Sequence, residues 1–100
     1  MKTIFVYGTL QRGHGNCNYF KLEGGFLGRA TLYGFKRNSL IDIEKVKRED
    51  DYVCGDLFSV NDAIEEDIFQ FERAYGYHRE AVHPQRIDNG EKIEAIAYIL

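Results

Sequence analysis

The stretch "NDAIEEDIFQFERAY", residues 61–75, is where the hydrophobic pattern of the chain changes its period. Four apolar side chains recur there at intervals of four, three and four residues, as on one face of a helix: Ile64, Ile68, Phe71 and Tyr75. Asp62 and Glu65 have the spacing of a capping box, which predicts that the helix begins with them. Since the segments on both sides favour strands, this stretch predicts one main helix in a chain that is otherwise rich in β-structure.

The chain before this helix is rich in β-branched and aromatic residues, which favour strands. Strands are expected at residues 3–7, 24–37, 39–43 and 52–60. Glycines within 24–37 indicate bulges or bends in that strand. One or two helical turns are expected at 16–22, and the charged run 44–50 indicates a solvated loop or the end of a hairpin.

The chain after the helix predicts two closing strands, residues 77–87 and 91–100. They are joined by Asp88-Asn89-Gly90, in which Asn-Gly is a strong signal for a tight hairpin. The order of strands, one good helix and a hairpin is typical of the α+β class. We therefore expect a single domain, residues 1–100, with a mixed sheet curled into a small β-barrel, one main helix and a short helical turn.

Composition excludes several classes of partner. The chain has 100 residues and a net charge of −3, and it contains no long basic run, so neither nucleic acid nor an anionic membrane is an expected partner. No apolar stretch approaches the ~20 residues that span a bilayer. Cys17 and Cys54 lie far apart and His14, His78 and His83 show no metal-ligand spacing, so we expect a reduced, cytoplasmic protein without a metal site.

The segment "FVYGTLQRGHGN", residues 5–16, carries two glycines at the spacing of a phosphate-binding loop, Gly8 and Gly13. Such a loop needs Lys and then Ser or Thr directly after its second glycine, whereas this chain has His14 and Gly15. A nucleotide site is therefore not expected. Gly8 either permits a turn with positive φ, or belongs to a nest of backbone N–H groups that binds a carboxylate.

The acidic residues of the helix divide into two groups. Three lie in the first turns, where they favour the helix dipole and are expected to act as caps: Glu65, Glu66 and Asp67. Glu72 instead borders the apolar stripe near the helix C-terminus, where partial burial and the dipole would both raise its pKa towards that of a general base. Pairing of Glu72 with a surface cation such as Arg73 or Arg79 is the alternative.

Other residues are weaker candidates for a nucleophile or for a pocket residue. Cys17 could be activated by His14 three residues before it, but a buried or idle thiol is the simpler interpretation, and Cys54 is expected in the core. Tyr7, Tyr75 and Tyr77 are candidate pocket residues, although tyrosines in a small barrel need no special purpose.

Four stretches, taken in order, resemble the gamma-glutamylcyclotransferase-like family, and especially its small gamma-glutamylamine cyclotransferase branch. They are "VYGTLQRGHGN", "FLGRATLYGF", "VCGDLFSV" and "FERAYGYHRE". The resemblance implies a substrate loop made of Tyr7, Gly8, Thr9 and Leu10, whose backbone holds the amino-acid end of a gamma-glutamyl group. It also implies that Glu72 is the catalytic acid and base, and that Tyr77 and Arg79 form the Tyr-x-Arg pair that binds substrate.

The implied reaction is the cyclisation of a gamma-glutamyl amine or peptide to 5-oxoproline with release of the amine, and it needs no cofactor. A non-catalytic domain that keeps the carboxylate-binding loop is the alternative, and the oligomeric state is not indicated. The sequence departs from the family pattern at Phe69, where an Asp is common, and at Arg73, where a Gly is common. The segment "KRNSLI" also replaces a proline-bearing one. These differences concern the shape of the pocket, and so the substrate, more than the chemistry.

Overall fold

The computed structural model describes residues 1–39 and 42–100. Its strands are β1 (Lys2–Val6), β2 (Phe26–Tyr33), β3 (Phe35–Ser39), β4 (Asp42–Lys45), β5 (Tyr52–Val60), β6 (His78–Val82), β7 (Gln85–Arg86) and β8 (Ala95–Ile99). Its helices are α1 (Gly15–Tyr19) and α2 (Asp62–Arg73), with a 3₁₀ turn at Glu23–Gly25. Residues 40 and 41, within the expected strand 39–43, lie outside the described residues. Within the described ranges, no helix has the length and apolar character needed to cross a membrane.

Six strands form the main sheet, in the order β6-β8-β1-β5-β2-β7, and β3 pairs with β4 in a separate two-stranded sheet. β1 is parallel to β8 and antiparallel to β5, so the sheet is mixed. The expected α+β class, with a mixed sheet and two helices, is confirmed. The sheet curls until it is roughly barrel-like, but β6 and β7 remain its edges, so the expected barrel is not closed.

The core lies on both faces of the sheet because side chains alternate along each strand. On β1, Phe5 belongs to the cluster that packs against β3 and β4, whereas Ile4 and Val6 belong to the cluster beneath the helices. Ile68 of α2 and Cys17 of α1 are both completely buried in that second cluster. The two helices are therefore held against one face of the sheet, beside the carboxyl end of β1.

Gly55 allows the central strands to approach closely. A Cβ atom at this position of β5 would lie 2.3 Å from the carbonyl oxygen of Val6 and 2.7 Å from the ring of Phe5. Only a residue without a side chain fits at that separation. Gly55 therefore fixes how close β5 lies to the end of β1, where the candidate site begins.

Helix α2 has the predicted period and begins at Asp62, but its capping residue and its C-terminal end differ from the prediction. Its N-cap is Asn61, whose side-chain oxygen accepts a hydrogen bond of 2.8 Å from the backbone N–H of Ile64, so the capping box expected from Asp62 and Glu65 is wrong. The helix ends at Arg73, so Tyr75 follows it. The sequence does not single out Asn61 because Asn and the Asp after it are both good caps, and the spacing to Glu65 favours the second.

The chain after α2 differs more from the sequence prediction than α2 does. β6 and β8 do pair antiparallel, with Val82 opposite Ala95, but a long excursion joins them and not a two-residue turn. Within it, the Asn-Gly turn closes a small loop in which the N–H of Arg86 donates to the carbonyl of Glu91 at 2.8 Å. β7 lies in this excursion and pairs with β2 across the sheet. The predicted loop 44–50 is also shortened, because β4 extends to Lys45.

Candidate active site

A cavity of about 210 Å³ opens beside the carboxyl end of β1 and the last turn of α2. Twelve residues line it: Phe5, Val6, Tyr7, Gly8, Thr9, Leu10, Asn16, Phe71, Glu72, Tyr75, Tyr77 and Tyr98. The lining is mostly aromatic and aliphatic, with a few polar groups among them, which is the usual composition of a small-molecule site. Six of the seven site residues named from the sequence lie in this lining, and Arg79 lies outside it.

The loop after β1 is anchored from two sides. Arg37 on β3 donates to the carbonyl oxygen of Tyr7 at 2.8 Å. Further along the loop, the backbone N–H of Arg12 donates at 2.8 Å to Asp56, a carboxylate on β5 that is only 5 % exposed. Because residues 7–10 lie between these two anchors, their backbone is held in place without any ligand.

The backbone N–H groups of Gly8, Thr9 and Leu10 have no acceptor anywhere in the described ranges. All three residues line the cavity, so backbone donors without an acceptor among the described residues belong to its wall. Gly8 is not in the left-handed region; that conformation occurs at Gly13, with φ of 87°, so the positive φ considered for Gly8 is wrong. Because Gly8 has no side chain, the cavity wall there is formed by backbone alone, next to N–H donors that suit a carboxylate.

Glu72 lies in the last turn of α2 and is one of the cavity-lining residues. Burial raises the pKa of its carboxyl above the ordinary value, since the charged form is poorly solvated there. The turn that follows the helix is closed by Gly76, with φ of 91°, and the N–H of Tyr77 donates to the carbonyl of Glu72 at 3.2 Å. One turn thus brings Glu72 and Tyr77 to the same cavity.

Two phenols flank this carboxyl group. Burial raises the pKa of Tyr77, and the nearby charges of Asp42 and Glu72 raise it further. Burial likewise raises the pKa of Tyr7, whose hydroxyl donates to the carbonyl oxygen of Tyr98 at 2.5 Å. Both phenols therefore stay protonated at neutral pH and line the cavity as neutral groups.

Arg79 is engaged behind the cavity wall. Its guanidinium donates to both carboxylate oxygens of Glu65, at 3.0 and 2.9 Å, and also reaches Glu66. Glu65 is fully buried and accepts a further bond of 2.8 Å from the hydroxyl of Tyr98, which lines the cavity. The capping role expected for Glu65 is therefore wrong: this carboxylate joins Arg79 to the wall of the site.

Asn16 and Tyr98 are site residues that the sequence analysis missed. The side-chain amide of Asn16, on α1, donates to the hydroxyl of Thr9 at 2.7 Å and so connects the short helix to the loop. The sequence does give one indication that Asn16 belongs to the site, because this residue lies just after the glycine loop and at the start of the expected helical turn. Tyr98 carries no signal of its own, because its role depends on Glu65.

Neither cysteine lines the cavity. Cys17 is completely buried outside the cavity lining, and burial raises the pKa of its thiol, which opposes formation of a thiolate. Cys54 is partly buried and also unpaired. Among residues 1–39 and 42–100, no group of three or more His, Cys, Asp or Glu side chains is placed to hold a metal ion.

A family model described as gamma-glutamyl cyclotransferase, AIG2-like, matches residues 4–100. This chain therefore belongs to the gamma-glutamyl cyclotransferase, AIG2-like family, and the resemblance of its four motif stretches is confirmed. The chain has no significant match among curated proteins.

Solved structures support the fold. An AIG2-like protein from Mus musculus has a TM-score of 0.76 and 23 % identity, over 100 % of this chain and 77 % of that one. A protein from Arabidopsis thaliana has a TM-score of 0.77 and 27 % identity, over 98 % of this chain and 67 % of that one. A gamma-glutamyl cyclotransferase has a TM-score of 0.75 and 16 % identity, over 99 % of this chain and 66 % of that one.

Proposed function

We propose that residues 1–100 act as one enzyme unit that cyclises a gamma-glutamyl amine or peptide to 5-oxoproline and releases the amine. One observation carries the proposal: Glu72, a carboxyl group with a raised pKa, lines the same cavity as Gly8, Thr9 and Leu10, whose backbone N–H groups have no acceptor among the described residues. Membership of the gamma-glutamyl cyclotransferase family supports it.

In this mechanism the α-carboxylate of the gamma-glutamyl group binds the N–H groups of Gly8, Thr9 and Leu10. The substrate then folds back so that its own α-amine faces its γ-carbonyl carbon. Since nucleophile and electrophile belong to one molecule, holding this conformer supplies most of the advantage. The apolar lining and the small volume of the cavity favour such a compact conformer over an extended one.

Glu72 moves the protons. Its carboxylate takes a proton from the α-ammonium, which frees the amine to attack and form the C–N bond of the ring. The protonated Glu72 then gives this proton to the leaving nitrogen as the γ-amide bond breaks. It takes the second proton from the new ring nitrogen and passes it to the released amine, which leaves as an ammonium ion, so the enzyme returns to its starting state. A carboxyl group whose pKa is raised by burial suits both steps near neutral pH.

Tyr77 acts as a neutral wall beside Glu72. We assign Arg79 a positioning role through Glu65 and Tyr98, since its guanidinium already binds Glu65 and lies outside the lining.

The test is release of 5-oxoproline from a panel of gamma-glutamyl amines, gamma-glutamyl dipeptides and glutathione. Glu72→Gln keeps the shape of the side chain but removes proton transfer, so turnover should fall about 10²–10⁴-fold. Binding of 5-oxoproline, measured by calorimetry, should survive because the loop donors remain. Glu49→Gln is the matched control, because Glu49 is exposed between β4 and β5 and outside the lining.

Two outcomes would oppose the proposal. A Glu72→Gln variant that cyclises its substrate as fast as the wild type would remove Glu72 from the mechanism. Binding of 5-oxoproline without turnover of any compound in the panel would favour the non-catalytic binding domain.

A further inference from the structure

Four aromatic rings form a continuous row from the cavity to the outer surface. The centroids of Tyr75 and Phe71 are 5.5 Å apart, those of Phe71 and Phe20 are 5.6 Å apart, and those of Phe20 and Tyr19 are 4.9 Å apart. Each pair is arranged edge to face, the geometry in which aromatic rings attract one another. We call these four residues the aromatic row.

The aromatic row connects two recesses. Tyr75 and Phe71 line the cavity that holds Glu72. Phe71 also lines a second, outer recess between α1 and α2, together with Phe20 and Tyr19. Phe71 is thus shared, and a molecule that leaves the cavity past it comes directly onto the other rings.

The two ends of the row are open to solvent. Tyr75 is 67 % exposed although it lines the cavity, which places it at the opening, and Tyr19 is 75 % exposed. The partly buried rings of Phe20 and Phe71 join these two exposed ends, so the row forms an aromatic surface that is continuous with the candidate site. Such a surface indicates contact with a ligand more than chance exposure of single residues does.

The cavity itself has little room beyond the gamma-glutamyl group. In the proposed reaction that group occupies the space between residues 7–10 and Glu72, and the cavity volume is only about 210 Å³. The leaving group is attached to the γ-carbonyl and must extend out through the opening. Tyr75 and Phe71 lie on its path.

Charge argues against an anionic leaving group. Within the described ranges, no Lys or Arg lines the cavity, and Glu72 is its one acidic residue. The outer recess contains Lys21 and Asp67, whose opposite charges give it no net preference. The carboxylate of a released amino acid would therefore meet no Lys or Arg among the described residues of the cavity lining, and in the outer recess it would meet Lys21 together with Asp67, whereas an aromatic ring would contact the aromatic row.

We propose that the aromatic row is the subsite for the leaving group, and that the preferred substrates are gamma-glutamyl amides of arylalkyl amines. This inference rests on the proposed function, because it assigns the second half of that substrate. The γ-carbonyl stays beside Glu72, the methylene of the amine crosses the opening, and the aryl ring packs against Tyr75 and Phe71.

The experiment compares three compounds with the same gamma-glutamyl group: the benzylamide, the methylamide and gamma-glutamylglycine. For the wild-type chain, kcat/KM for 5-oxoproline release should be about 5–10-fold higher for the benzylamide than for the methylamide, as one or two ring contacts predict. Gamma-glutamylglycine, with its carboxylate, should be the poorest of the three.

Substitutions in the aromatic row show which rings produce the preference for the benzylamide. Tyr75→Ala should lower the ratio of benzylamide to methylamide to near one, and Phe20→Leu should lower it partly, since Phe20 lies one ring further out. Tyr33→Ala is the control, because Tyr33 is half exposed but packs against Tyr52 on the strands, away from the cavity. It should keep the wild-type ratio.

Equal kcat/KM for the two amides, a preference for gamma-glutamylglycine, or a ratio unchanged by Tyr75→Ala would each overturn the inference. Failure of the proposed function is a different result, namely no 5-oxoproline from any compound. In that case, calorimetry tests the aromatic subsite by itself. Tighter binding of the benzylamide than of the methylamide, lost in Tyr75→Ala, supports the subsite, and equal dissociation constants for the two amides reject it.

Discussion

Glu65 accepts a hydrogen bond of 2.8 Å from the hydroxyl of Tyr98, although 33 residues separate the two in sequence. The backbone carbonyl of the same tyrosine accepts the hydroxyl of Tyr7. A buried carboxylate on α2 is therefore connected through one residue of β8 to the loop at the end of β1. The cavity wall and the helix that carries Glu72 are parts of one hydrogen-bonded unit.

This unit predicts a difference between two adjacent glutamates. Glu65→Gln leaves Arg79 without a buried anion and weakens the bond to Tyr98, so the free energy of unfolding should fall by about 1–3 kcal/mol. Glu66→Gln should change it much less, because the Glu66 side chain is 53 % exposed and its ion pair is screened by solvent. Urea denaturation of both variants measures this. Similar losses in the two would mean that Arg79 is held equally by both carboxylates.

The same pair predicts how stability depends on pH. Burial by itself would raise the pKa of Glu65, but the hydrogen bonds from Arg79 and Tyr98 outweigh it and leave the pKa below the ordinary value. The stabilisation is then complete above the ordinary pKa of about 4.3 and is lost as the pH falls through the lower value of the folded state. The stability difference between wild type and Glu65→Gln should shrink over that acid range. A constant difference would contradict the assignment.

The activity should also decline at acid pH, because it depends on the ionisation of Glu72. Glu72 must be a carboxylate to take the first proton, and burial raises its pKa. As the pH falls, kcat/KM for 5-oxoproline release should decline with a midpoint above about 4.3. Glu49→Gln should keep the same midpoint. A midpoint at or below that of a free Glu would show that the group titrating is not a buried one.

Asn16 provides a test of the loop. Asn16→Ala removes the bond to the hydroxyl of Thr9, so the loop is held less firmly before substrate arrives. KM should rise about 2–10-fold with a smaller change in kcat, the loss expected for one hydrogen bond. Asn18→Ala on the same helix is the control, since Asn18 is exposed and outside the lining. An equal effect of the two substitutions would point to α1 as a whole and not to the Thr9 contact.

Gly55 tests the close approach of the central strands. Gly55→Ala would push a methyl group against the carbonyl of Val6 and the ring of Phe5, at a cost of about 1–3 kcal/mol or more in unfolding free energy. Gly24→Ala is the control, because nothing lies within 4 Å of a Cβ atom there. Thermal or urea unfolding of the two variants measures the difference in stability. Equal stability would mean that β1 and β5 can move apart freely.

Local patterns predict much of this fold because the forces that form those parts are local. Residues 52–60 alternate as a strand should and form β5 with the same limits. The apolar stripe of α2 predicts both the helix and the position of Glu72 at its border, which the structure places in the cavity lining. In such segments, periodicity identifies the type of element and the side on which most apolar residues pack.

The remaining features depend on partners far along the chain. Glu65 has the position of a first-turn acid, and its burial depends on Arg79 and Tyr98, 14 and 33 residues away, together with Lys2, whose ammonium lies 3.6 Å from its carboxylate. β7 is too short to be recognised by its own pattern and exists because β2 offers it an edge. The sheet stays open for the same reason, since its edges are decided by which strands meet and not by any single segment.

The parallel pairing of β1 with β8 also governs when the site can form during synthesis. Tyr7 and Tyr98 are 91 residues apart, so their contact must wait until β8 has left the ribosome. The antiparallel pairing of β5 with β1 and β2 needs shorter loops and is expected first, which leaves β1 as a temporary sheet edge. We expect a nascent chain to contain most of the sheet before it has any cavity, and to be most prone to aggregation through β1 in that interval.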